Sequence, residues 1–582
     1  MFGIIDRYLS TILNKALHLR AYKASSKNNS SFNQTTTMKK ILLLNLILFY
    51  GISLLNGQNS LLTVAEKSGF ESTAKYADVQ TFITELTKIS KNIKVESIAK
   101  TTEGRDVPLL IIADPLPQSP ADLINDKRIV VYIQANIHAG EVEGKEASMM
   151  LARDLVNGLN NEILKKVVVL ICPNFNPDGN EAISTQNRTH QNGPKSGVGL
   201  RYNGQMLDLN RDAIKLESPE MTGLIRNVIQ RWDPSLLVDC HTTNGSYHEE
   251  PVTFTWMMNP AGDRELINFM RDKMMPVVSG ILNDKYNVMN CFYGEFTDLK
   301  NPENGWISYA SEPRYLTNYM GVRNRLAILN ENYVYADYKT RVLGSYHLLH
   351  SILEYSATHS DEIKVMLKKV DAQTIFRGVN PAVSDSFPIE YKVMPTPEKI
   401  KIHAYEVDAT TDAEGREQLH KSDRKKLVNP PYLADYYPAK SVSFPYAYII
   451  KLHDPIIANL LLKHGIKVEK LTQSATLEVE TYRITDLKPA ERLNQGHYTN
   501  TVKGTMEKDT VEFIPGNYVV RMAQPLANLA AYMLEPQTND ALILWNYFDR
   551  YLVPQWGKGF YNYPVYRLMK KTELQTQPLL ED

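Results

Sequence analysis

The sequence has few cysteines and no excess of charge of one sign. Only three of its 582 residues are cysteine, namely Cys172, Cys240 and Cys291, and none lies in a Cys-x-x-Cys pair. Three is too few, and an odd number, for a disulfide framework, although a single disulfide is possible. Lys plus Arg and Asp plus Glu both number 65, so the formal net charge is zero. We therefore expect no nucleic-acid partner, because such a partner requires a basic excess or a basic stripe.

The sequence also lacks an apolar run of the roughly 20 residues that a membrane-spanning helix needs. The apolar stretch 41–55 is interrupted by Asn45 and follows the basic residues Lys39 and Lys40. With small residues after it, this pattern is typical of a secretory signal peptide, and a retained membrane anchor is the alternative. We predict a signal peptide at residues 38–57, no stable membrane span after its removal, and a secreted or periplasmic location.

Residues 1–37 precede this signal and are harder to place. The stretch 23–37 is rich in Ser, Asn and Thr and cannot bury a core. We predict that residues 1–37 are a non-native or disordered extension, that Met38 is the true initiator, and that the mature chain begins near Gln58.

Four continuous apolar segments predict strands buried on both faces of a parallel sheet. They lie at residues 128–135, 166–172, 235–240 and 325–330. Segments with helical spacing occur between or after them, including 218–231, 264–281 and 338–358. This alternation predicts an α/β fold with a mixed, mostly parallel sheet and helices on both faces.

The chain is long enough for more than one domain, and its composition changes after the last of these helices. We predict a first domain at residues 58–375. Residues 376–440 are rich in Pro, charge and turn residues, which indicates a linker or docking segment. Residues 441–582 combine strand patterns with a helix that Asp454-Pro455 opens and Gly465 closes, so we predict a smaller accessory α+β domain there.

Polar residues stand at the carboxyl ends of the predicted strands. His138 and Glu141 follow the first strand, His241 follows the third, and Glu331 follows the fourth. Ligands of open α/β sheets bind at this edge, so His138 and Glu141 can point at one ion; the alternative is an ordinary polar loop. A catalytic zinc commonly takes three protein ligands. Among the 13 histidines, His241 is the best third ligand because it alone directly follows a buried strand of this sheet, and His248 is a weaker substitute.

An Asn-Arg pair lies between these ligands in the sequence. Asn210 and Arg211 offer a fork of donors that suits a carboxylate, and a surface loop with an ordinary ion pair is the alternative. Arg201 and Arg188 could add a donor aimed at a carbonyl oxygen.

Taken together, these residues resemble the zinc carboxypeptidase family, the carboxypeptidase A-like metallopeptidases, over residues 70–360. The shared motifs occur in the same order: Gly104-Arg105, His138-x-x-Glu141, Asn176-Pro177-Asp178-Gly179, Asp208-Leu209-Asn210-Arg211, Asp239-Cys240-His241 and Glu331-Asn332-Tyr333. The remaining C-terminal sequence looks like that of larger, secreted bacterial relatives with an accessory domain.

The resemblance implies a metal site and a peptidase catalytic domain at residues 58–375. It implies that His138, Glu141 and His241 are ligands of one Zn²⁺ per chain. It also implies that Asp208 fixes the His138 imidazole, and that Glu331 is the general base. The alternative for Glu331 is a structural pair with a nearby arginine, Arg323 or Arg325.

The resemblance further implies how a substrate is held. Asn210 and Arg211 would bind the terminal carboxylate, and Arg201, preferred over Arg188, would polarise the scissile carbonyl. A substrate-capping tyrosine falls in a region that offers three candidates, of which we choose Tyr319: Tyr309, Tyr315 and Tyr319. Asp212 departs from the neutral residue often found after the Asn-Arg pair, and its charge could weaken carboxylate binding.

We therefore expect a secreted zinc-dependent peptidase, a carboxypeptidase that releases C-terminal residues from peptide or protein substrates. One alternative is a zinc amidase acting on peptidoglycan stem peptides, or a deacylase. A second alternative is a non-catalytic peptide-binding protein on a peptidase scaffold. The sequence does not indicate an oligomeric state.

Overall fold

The computed structural model describes residues 61–580, except residues 160, 244, 310, 311 and 383. The predicted extension at 1–37 and the predicted signal peptide at 38–57 lie outside the described residues. Among the helices of the described part, none is both long enough and apolar enough to cross a membrane.

A mixed eight-stranded sheet organises the first half of the described chain. Its strand order is β1-β2-β4-β3-β5-β10-β6-β7, and four of its seven ladders are parallel. The first ten strands of the chain are β1 (Ile93–Lys100), β2 (Asp106–Ile112), β3 (Ile129–Ala135), β4 (Val167–Cys172), β5 (Leu236–Thr243), β6 (Val252–Trp256), β7 (Asn290–Phe292), β8 (Glu295–Phe296), β9 (Trp306–Ile307) and β10 (Leu326–Tyr333).

The four predicted strands are the parallel centre of this sheet, β4, β3, β5 and β10. All residues of β3 and β4 are buried, as their unbroken apolar sequences predict. Strands β5 and β10 each continue three residues beyond the predicted ends, because their ladder persists through the polar pairs Glu331 with His241 and Asn332 with Thr242. His241 and Glu331 therefore lie near the ends of strands β5 and β10, within the strands and not after them.

Helices pack against this sheet. In particular, α3 (Glu143–Val156) contacts β3 and β5, and α9 (Leu316–Val322) and α10 (Tyr338–Thr358) contact β10. The helices up to residue 379 are α1 (Val64–Lys67), α2 (Tyr76–Ile89), α3 (Glu143–Val156), α4 (Asn161–Lys166), α5 (Pro177–Glu181), α6 (Pro219–Leu224), α7 (Arg264–Phe269), α8 (Met275–Tyr286), α9 (Leu316–Val322), α10 (Tyr338–Thr358) and α11 (Ser360–Val379). The predicted α/β class with a mixed sheet is confirmed.

The segment at 376–440, predicted to be a linker or docking segment, contains long strands instead. They are β11 (Ser386–Pro395), β12 (Ile402–Thr411), β13 (Glu417–Val428) and β14 (Tyr432–Ser443). Strands β11 and β14 extend a four-stranded sheet with β9 and β8, and β12 pairs with β13. The charged residues that suggested irregular chain lie largely on exposed positions, for example along β13.

A seven-stranded sheet and three helices make up the rest of the chain. The sheet order is β18-β17-β20-β15-β19-β16-β21. The elements are β15 (Ala447–Ile450), α12 (Ile456–Lys463), β16 (Glu469–Leu471), β17 (Ala475–Pro489), β18 (Asn500–Phe513), β19 (Tyr518–Arg521), α13 (Ala527–Leu534), α14 (Asp549–Leu552), β20 (Val565–Leu568) and β21 (Thr576–Pro578). Strand and helix content thus agrees with the α+β composition predicted for this region.

Candidate active site

A cavity of about 610 Å³ opens at the carboxyl ends of β3, β5 and β10. Its lining includes residues from distant parts of the chain that the sequence analysis identified as candidates. Eight of the candidate residues line it: His138, Glu141, Arg188, Arg201, Asn210, Arg211, His241 and Glu331.

The turn after β3 places His138 and Glu141 side by side. Asn136 takes a left-handed conformation with φ of 65°, which ends the strand and redirects the chain. The Glu141 N–H then donates to the His138 carbonyl at 2.9 Å. A Cβ at Gly140 would come within 2.6 Å of Arg188 Cδ and 3.0 Å of the Gly199 carbonyl oxygen, so a larger residue here would force the Arg188 side chain to move.

Strand register brings His241 and Glu331 to the same place. The two residues are partners in the parallel ladder between β5 and β10, so their side chains leave the same face of the sheet. Ala135, the last residue of β3, is the ladder partner of Cys240. The three neighbouring strands therefore present their polar ends at one rim.

The three predicted metal ligands form a tight group of buried donor atoms. His138 Nδ1 lies 3.1 Å from one Glu141 oxygen, and His241 Nδ1 lies 3.0 Å from the other. The two Nδ1 atoms are 3.2 Å apart. One donor atom from each residue lies within 4.8 Å of the others.

Two carboxylates fix the orientation of both imidazoles. His138 Nε2 lies 3.0 Å from Asp208 Oδ1, and His241 Nε2 lies 2.9 Å from Asp239 Oδ2. Each carboxylate favours a proton on Nε2 and leaves Nδ1 with its lone pair. The contact predicted for Asp208 is present, whereas Asp239 was missed as a partner, although its position two residues before His241 on the same strand face could have indicated it.

This donor set fits a zinc ion. Two lone-pair nitrogens that face each other at 3.2 Å need a cation or a proton between them. Ligand atoms about 2.0 to 2.2 Å from a tetrahedral ion are about 3.3 to 3.6 Å apart. The separations here are slightly shorter, at 3.0 to 3.2 Å, and the two that involve Glu141 end on different oxygens of its carboxylate. Two imidazoles and one carboxylate also match a catalytic zinc site that keeps a position free.

Charges around the group support a cation-binding role. Burial alone would raise the pKa of Glu141, but its contacts with His138 and Arg188 hold that pKa well below its usual range. Burial alone would lower the pKa of His241, but Asp239 and Glu141 raise it well above its usual value. Burial raises the pKa of Glu331 to about 8. A cation beside Glu331 would act in the opposite direction and favour the carboxylate.

Asn210 and Arg211 lie on the same cavity, on a short 3₁₀ turn (Leu209–Arg211) that Asp208 caps. The Leu316 N–H donates to the Asn210 side-chain oxygen, which leaves the amide NH₂ as the donor end. The Arg211 guanidinium stacks on the Tyr315 ring at 4.2 Å. Asp212 points elsewhere and accepts hydrogen bonds from Ser218 and from the backbone of Glu217, so it does not oppose an anion at this clamp.

Both candidate arginines reach the cavity. Arg201 Nε donates to Asp208 at 2.9 Å, and its guanidinium lies 3.6 Å from Glu141. Arg188 donates to Glu141 at 2.8 Å and to the Thr242 carbonyl at 2.7 Å. Arg188 Nε also donates to the Gln191 side-chain oxygen at 2.7 Å, so all three of its guanidinium nitrogens are bonded to protein groups. The Arg201 side chain is the more exposed of the two.

Tyr319 does not have the position that the sequence interpretation gave it. Its ring is fully buried, its hydroxyl donates to His464 Nδ1 at 2.8 Å, and it does not line the cavity. It lies on α9, which is buried along its whole length, so the side chain faces the core. Tyr293, Tyr309 and Tyr315 line the cavity instead.

Three further alternatives from the sequence are not supported. Arg323 contacts Tyr319 and the His464 carbonyl, and Arg325 pairs with Asp233 and Asp371, so neither arginine neutralises Glu331. His248 lies in a different group of side chains and not beside His138. The three cysteines are all free, so the single disulfide left open by the sequence is absent.

Residues from the C-terminal half complete the cavity. Tyr391, Tyr436 and Asn539 contribute to its wall. The Gln495 side-chain oxygen accepts a 2.8 Å hydrogen bond from the Asp208 backbone N–H. The part of the chain beyond the parallel sheet therefore touches the group that orients His138.

Comparison with known proteins relates this site to metallopeptidases. Residues 79–245 match the profile of the zinc carboxypeptidase family. A carboxypeptidase 2 of Trichophyton equinum is 25% identical over 496 residues, which cover 81% of each chain. A carboxypeptidase 2 of Trichophyton rubrum is 22% identical over 460 residues, which cover 76% of this chain and 78% of the relative. Both the predicted resemblance and the predicted class of enzyme are confirmed.

A solved structure of a metallo-carboxypeptidase from Burkholderia cenocepacia is also similar. It is 18% identical, covers 48% of this chain and 69% of its own, and has a TM-score of 0.37.

Proposed function

Because the chain carries a zinc carboxypeptidase domain, we propose that it is a secreted zinc-dependent exopeptidase that releases the C-terminal residue of peptides. This proposal depends on one observation, the set of side chains that line a single cavity. The His138, Glu141 and His241 group, the Glu331 carboxylate, and the Asn210 and Arg211 donors all face the same space.

A peptide terminus would be recognised by its charge. Arg211 presents a planar fork of N–H donors, and Asn210 adds an amide donor beside it, which together suit a carboxylate. Stacking on Tyr315 restricts the Arg211 guanidinium to one orientation. A bound C-terminal carboxylate would thus place the preceding peptide bond near the metal ligands.

The protein groups around that bond can carry out hydrolysis. Zinc held by His138, Glu141 and His241 would supply a Lewis acid and a bound water of lowered pKa. Glu331 would accept a proton from the attacking water on a carboxylate oxygen and pass it to the leaving nitrogen as the C–N bond breaks. Arg201 would donate N–H groups to the carbonyl oxygen as it gains negative charge.

Arg188 is the other candidate for this last role, and the two can be separated by substitution. Arg201→Lys is expected to lower kcat by about 100-fold, the loss typical of one oxyanion donor. Arg188→Lys should act mainly through Glu141, so zinc affinity should fall more than kcat of the zinc-loaded enzyme. A fall in kcat for Arg188→Lys alone, with zinc affinity unchanged, would assign the carbonyl contact to Arg188.

We also propose that residues 38–57 direct the chain out of the cytoplasm and that the mature enzyme begins near Gln58. We further propose that the accessory region at 441–582 packs beside the catalytic domain and restricts access to its cavity. The contacts of Gln495 and Asn539 support the second proposal. N-terminal sequencing of exported protein tests the first, since a mature chain that retains residues 38–57 would contradict it.

The test of exopeptidase action compares two peptides that differ only at the C terminus. The enzyme should release the last residue from the free acid, and kcat/KM should fall by at least about 100-fold on the amide, because the charge that Arg211 recognises is gone. Arg211→Met should lose this discrimination while retaining zinc. Equal cleavage of both peptides by the unsubstituted enzyme would reject the carboxypeptidase proposal.

A further inference from the structure

A second group of metal-ligating side chains lies outside the catalytic cavity. It consists of His248, Glu250 and Cys291, and one donor atom from each lies within 4.8 Å of the others. Their relative exposures are only 2%, 1% and 5%. None of the three lines the catalytic cavity.

Sheet topology brings these residues together from separate segments. His248 and Glu250 lie in the connection between β5 and β6, and Cys291 lies on β7. Strand β7 pairs in parallel with β6, where Cys291 is the partner of Thr253. Thr253 is in turn the partner of Glu331 on β10, so the group lies two strands, or about 10 Å, from the backbone of the predicted base.

The imidazole of His248 is held in place on several sides. Its ring stacks on Tyr333 with centroids 3.9 Å apart, and it meets the Trp306 ring in a T-shaped arrangement with centroids 5.8 Å apart. Its backbone N–H donates to the Tyr333 hydroxyl. The ring is therefore packed against aromatic side chains on two sides.

Two buried polar atoms in this group have no hydrogen-bond partner among the described residues. They are His248 Nδ1 and Glu250 Oε2. The two atoms face each other at 3.4 Å, but without the geometry of a hydrogen bond. The other Glu250 oxygen is already occupied, because it accepts from both the backbone N–H and Nδ1 of His403. Buried polar atoms in folded proteins are nearly always paired, so an additional partner is expected here.

Cys291 supplies the third donor on the same side. Burial raises the pKa of its thiol well above the usual value, and the Glu250 charge adds to this effect. An isolated thiol in this position is inert, and only a nearby cation would favour the thiolate.

We propose that His248, Glu250 and Cys291 bind a second divalent cation, zinc, in a structural site. One nitrogen, one oxygen and one sulfur donor are all ligands that zinc accepts, and thiolate disfavours calcium or magnesium. Binding releases the Cys291 thiol proton to solvent and involves no change of oxidation state. The ion ties the connection before β6 to β7 and, through Glu250 and His403, to β12. This proposal does not depend on the peptidase activity proposed above.

Cobalt substitution of the full chain tests the proposal. No cysteine lines the catalytic cavity, so a cobalt ion there has no sulfur ligand. The cobalt-loaded protein should show a near-ultraviolet thiolate-to-cobalt charge-transfer band. Cys291→Ser should abolish it, and Cys172→Ser, a change at another buried cysteine of the same sheet, should retain it. A wild-type protein that takes up cobalt without this band would overturn the proposal.

Zinc content gives a second measurement, which remains informative even if Cys291→Ser does not fold. Wild-type protein should contain two zinc ions per chain, and His241→Ala should contain one and keep the cobalt–thiolate band of the second site. His248→Ala should also contain one ion and lose the band. A single zinc in the wild type that disappears in His241→Ala would reject the second site while leaving the proposed peptidase function intact.

Discussion

The two groups of proposed metal ligands contain similar residues in different surroundings. His138, Glu141 and His241 face a cavity of about 610 Å³, and carboxylates behind both imidazoles orient their free nitrogens toward it. His248, Glu250 and Cys291 are all buried, and Tyr333 and Trp306 pack against the His248 ring. Catalytic zinc needs an open coordination position and structural zinc does not. The comparison indicates that access to a cavity and the charges of neighbouring residues, rather than the type of ligand, distinguish the proposed catalytic site from the proposed structural site.

The largest effect is expected at Glu331, the proposed base beside the open group, which has no counterpart in the second group. Glu331→Gln should lower kcat by roughly 10³-fold or more, because the amide cannot accept the proton of the attacking water. Zinc content should remain unchanged, since Glu331 is not among the proposed ligands. Steady-state kinetics with metal analysis measures both quantities.

Glu162→Gln is a suitable control, because this carboxylate is exposed on α4 and does not line the cavity. Activity of Glu331→Gln close to that of this control would show that the base lies elsewhere.

The next effect concerns the carboxylates that support the open group. Asp239→Asn should weaken zinc binding in the cavity by about 10- to 100-fold, because the amide no longer fixes the His241 tautomer. The cobalt–thiolate band of the second group should be unaffected in the same sample. Competition with a chelator of known affinity measures the change. Unaltered affinity in Asp239→Asn would mean that this carboxylate has no part in holding the metal.

Removal of metal in two stages should separate the two groups by stability. Brief treatment with a chelator should empty the open site first, which abolishes activity and lowers the thermal midpoint, because this ion too is bound only by the folded state. Removal of the enclosed ion should then lower the midpoint by several degrees, because that ion is bound only by the folded state. Calorimetry at each stage follows both steps. Loss of both ions at the same rate would contradict the difference in access.

The smallest effect is expected at Tyr319, which borders the core and not the cavity. Tyr319→Phe should reduce the free energy of unfolding by about 1 to 3 kcal/mol, since the hydroxyl's buried hydrogen bonds with His464 and Arg323 are both lost. Its effect on KM should be smaller than that of Tyr315→Phe or Tyr309→Phe, whose rings line the cavity. Denaturant unfolding and kinetics provide the two values. A larger change in KM for Tyr319→Phe than for the other two variants would support Tyr319 as the substrate-capping tyrosine that the sequence suggested.

Much of the parallel sheet could be predicted from the sequence, because its buried strands are continuous apolar runs. The polar residue that ends each run then marks the rim, and His138, His241 and Glu331 follow from that rule. Strands β11 to β14 could not be predicted in the same way. Their exposed, charged residues and prolines resemble those of a loop, and only their pairing partners reveal them as strands.

The directions in which side chains point were harder to predict from the sequence than the positions of the strands. Tyr319 lies on a buried helix, and a sequence gives no reason to prefer the core over the cavity for its ring. The group of His248, Glu250 and Cys291 was equally hidden, since a polar connection and a short strand meet only through the register of β6 with β7. Features that depend on contacts between distant segments therefore required the structure.

The most direct test of the central claim is a crystal structure of purified protein with diffraction data at the zinc absorption edge. An anomalous peak should lie between His138 Nδ1, His241 Nδ1 and the Glu141 carboxylate, with Glu331 facing the same space. An active peptidase without a peak at that position, or with its zinc bound by other residues, would contradict the account.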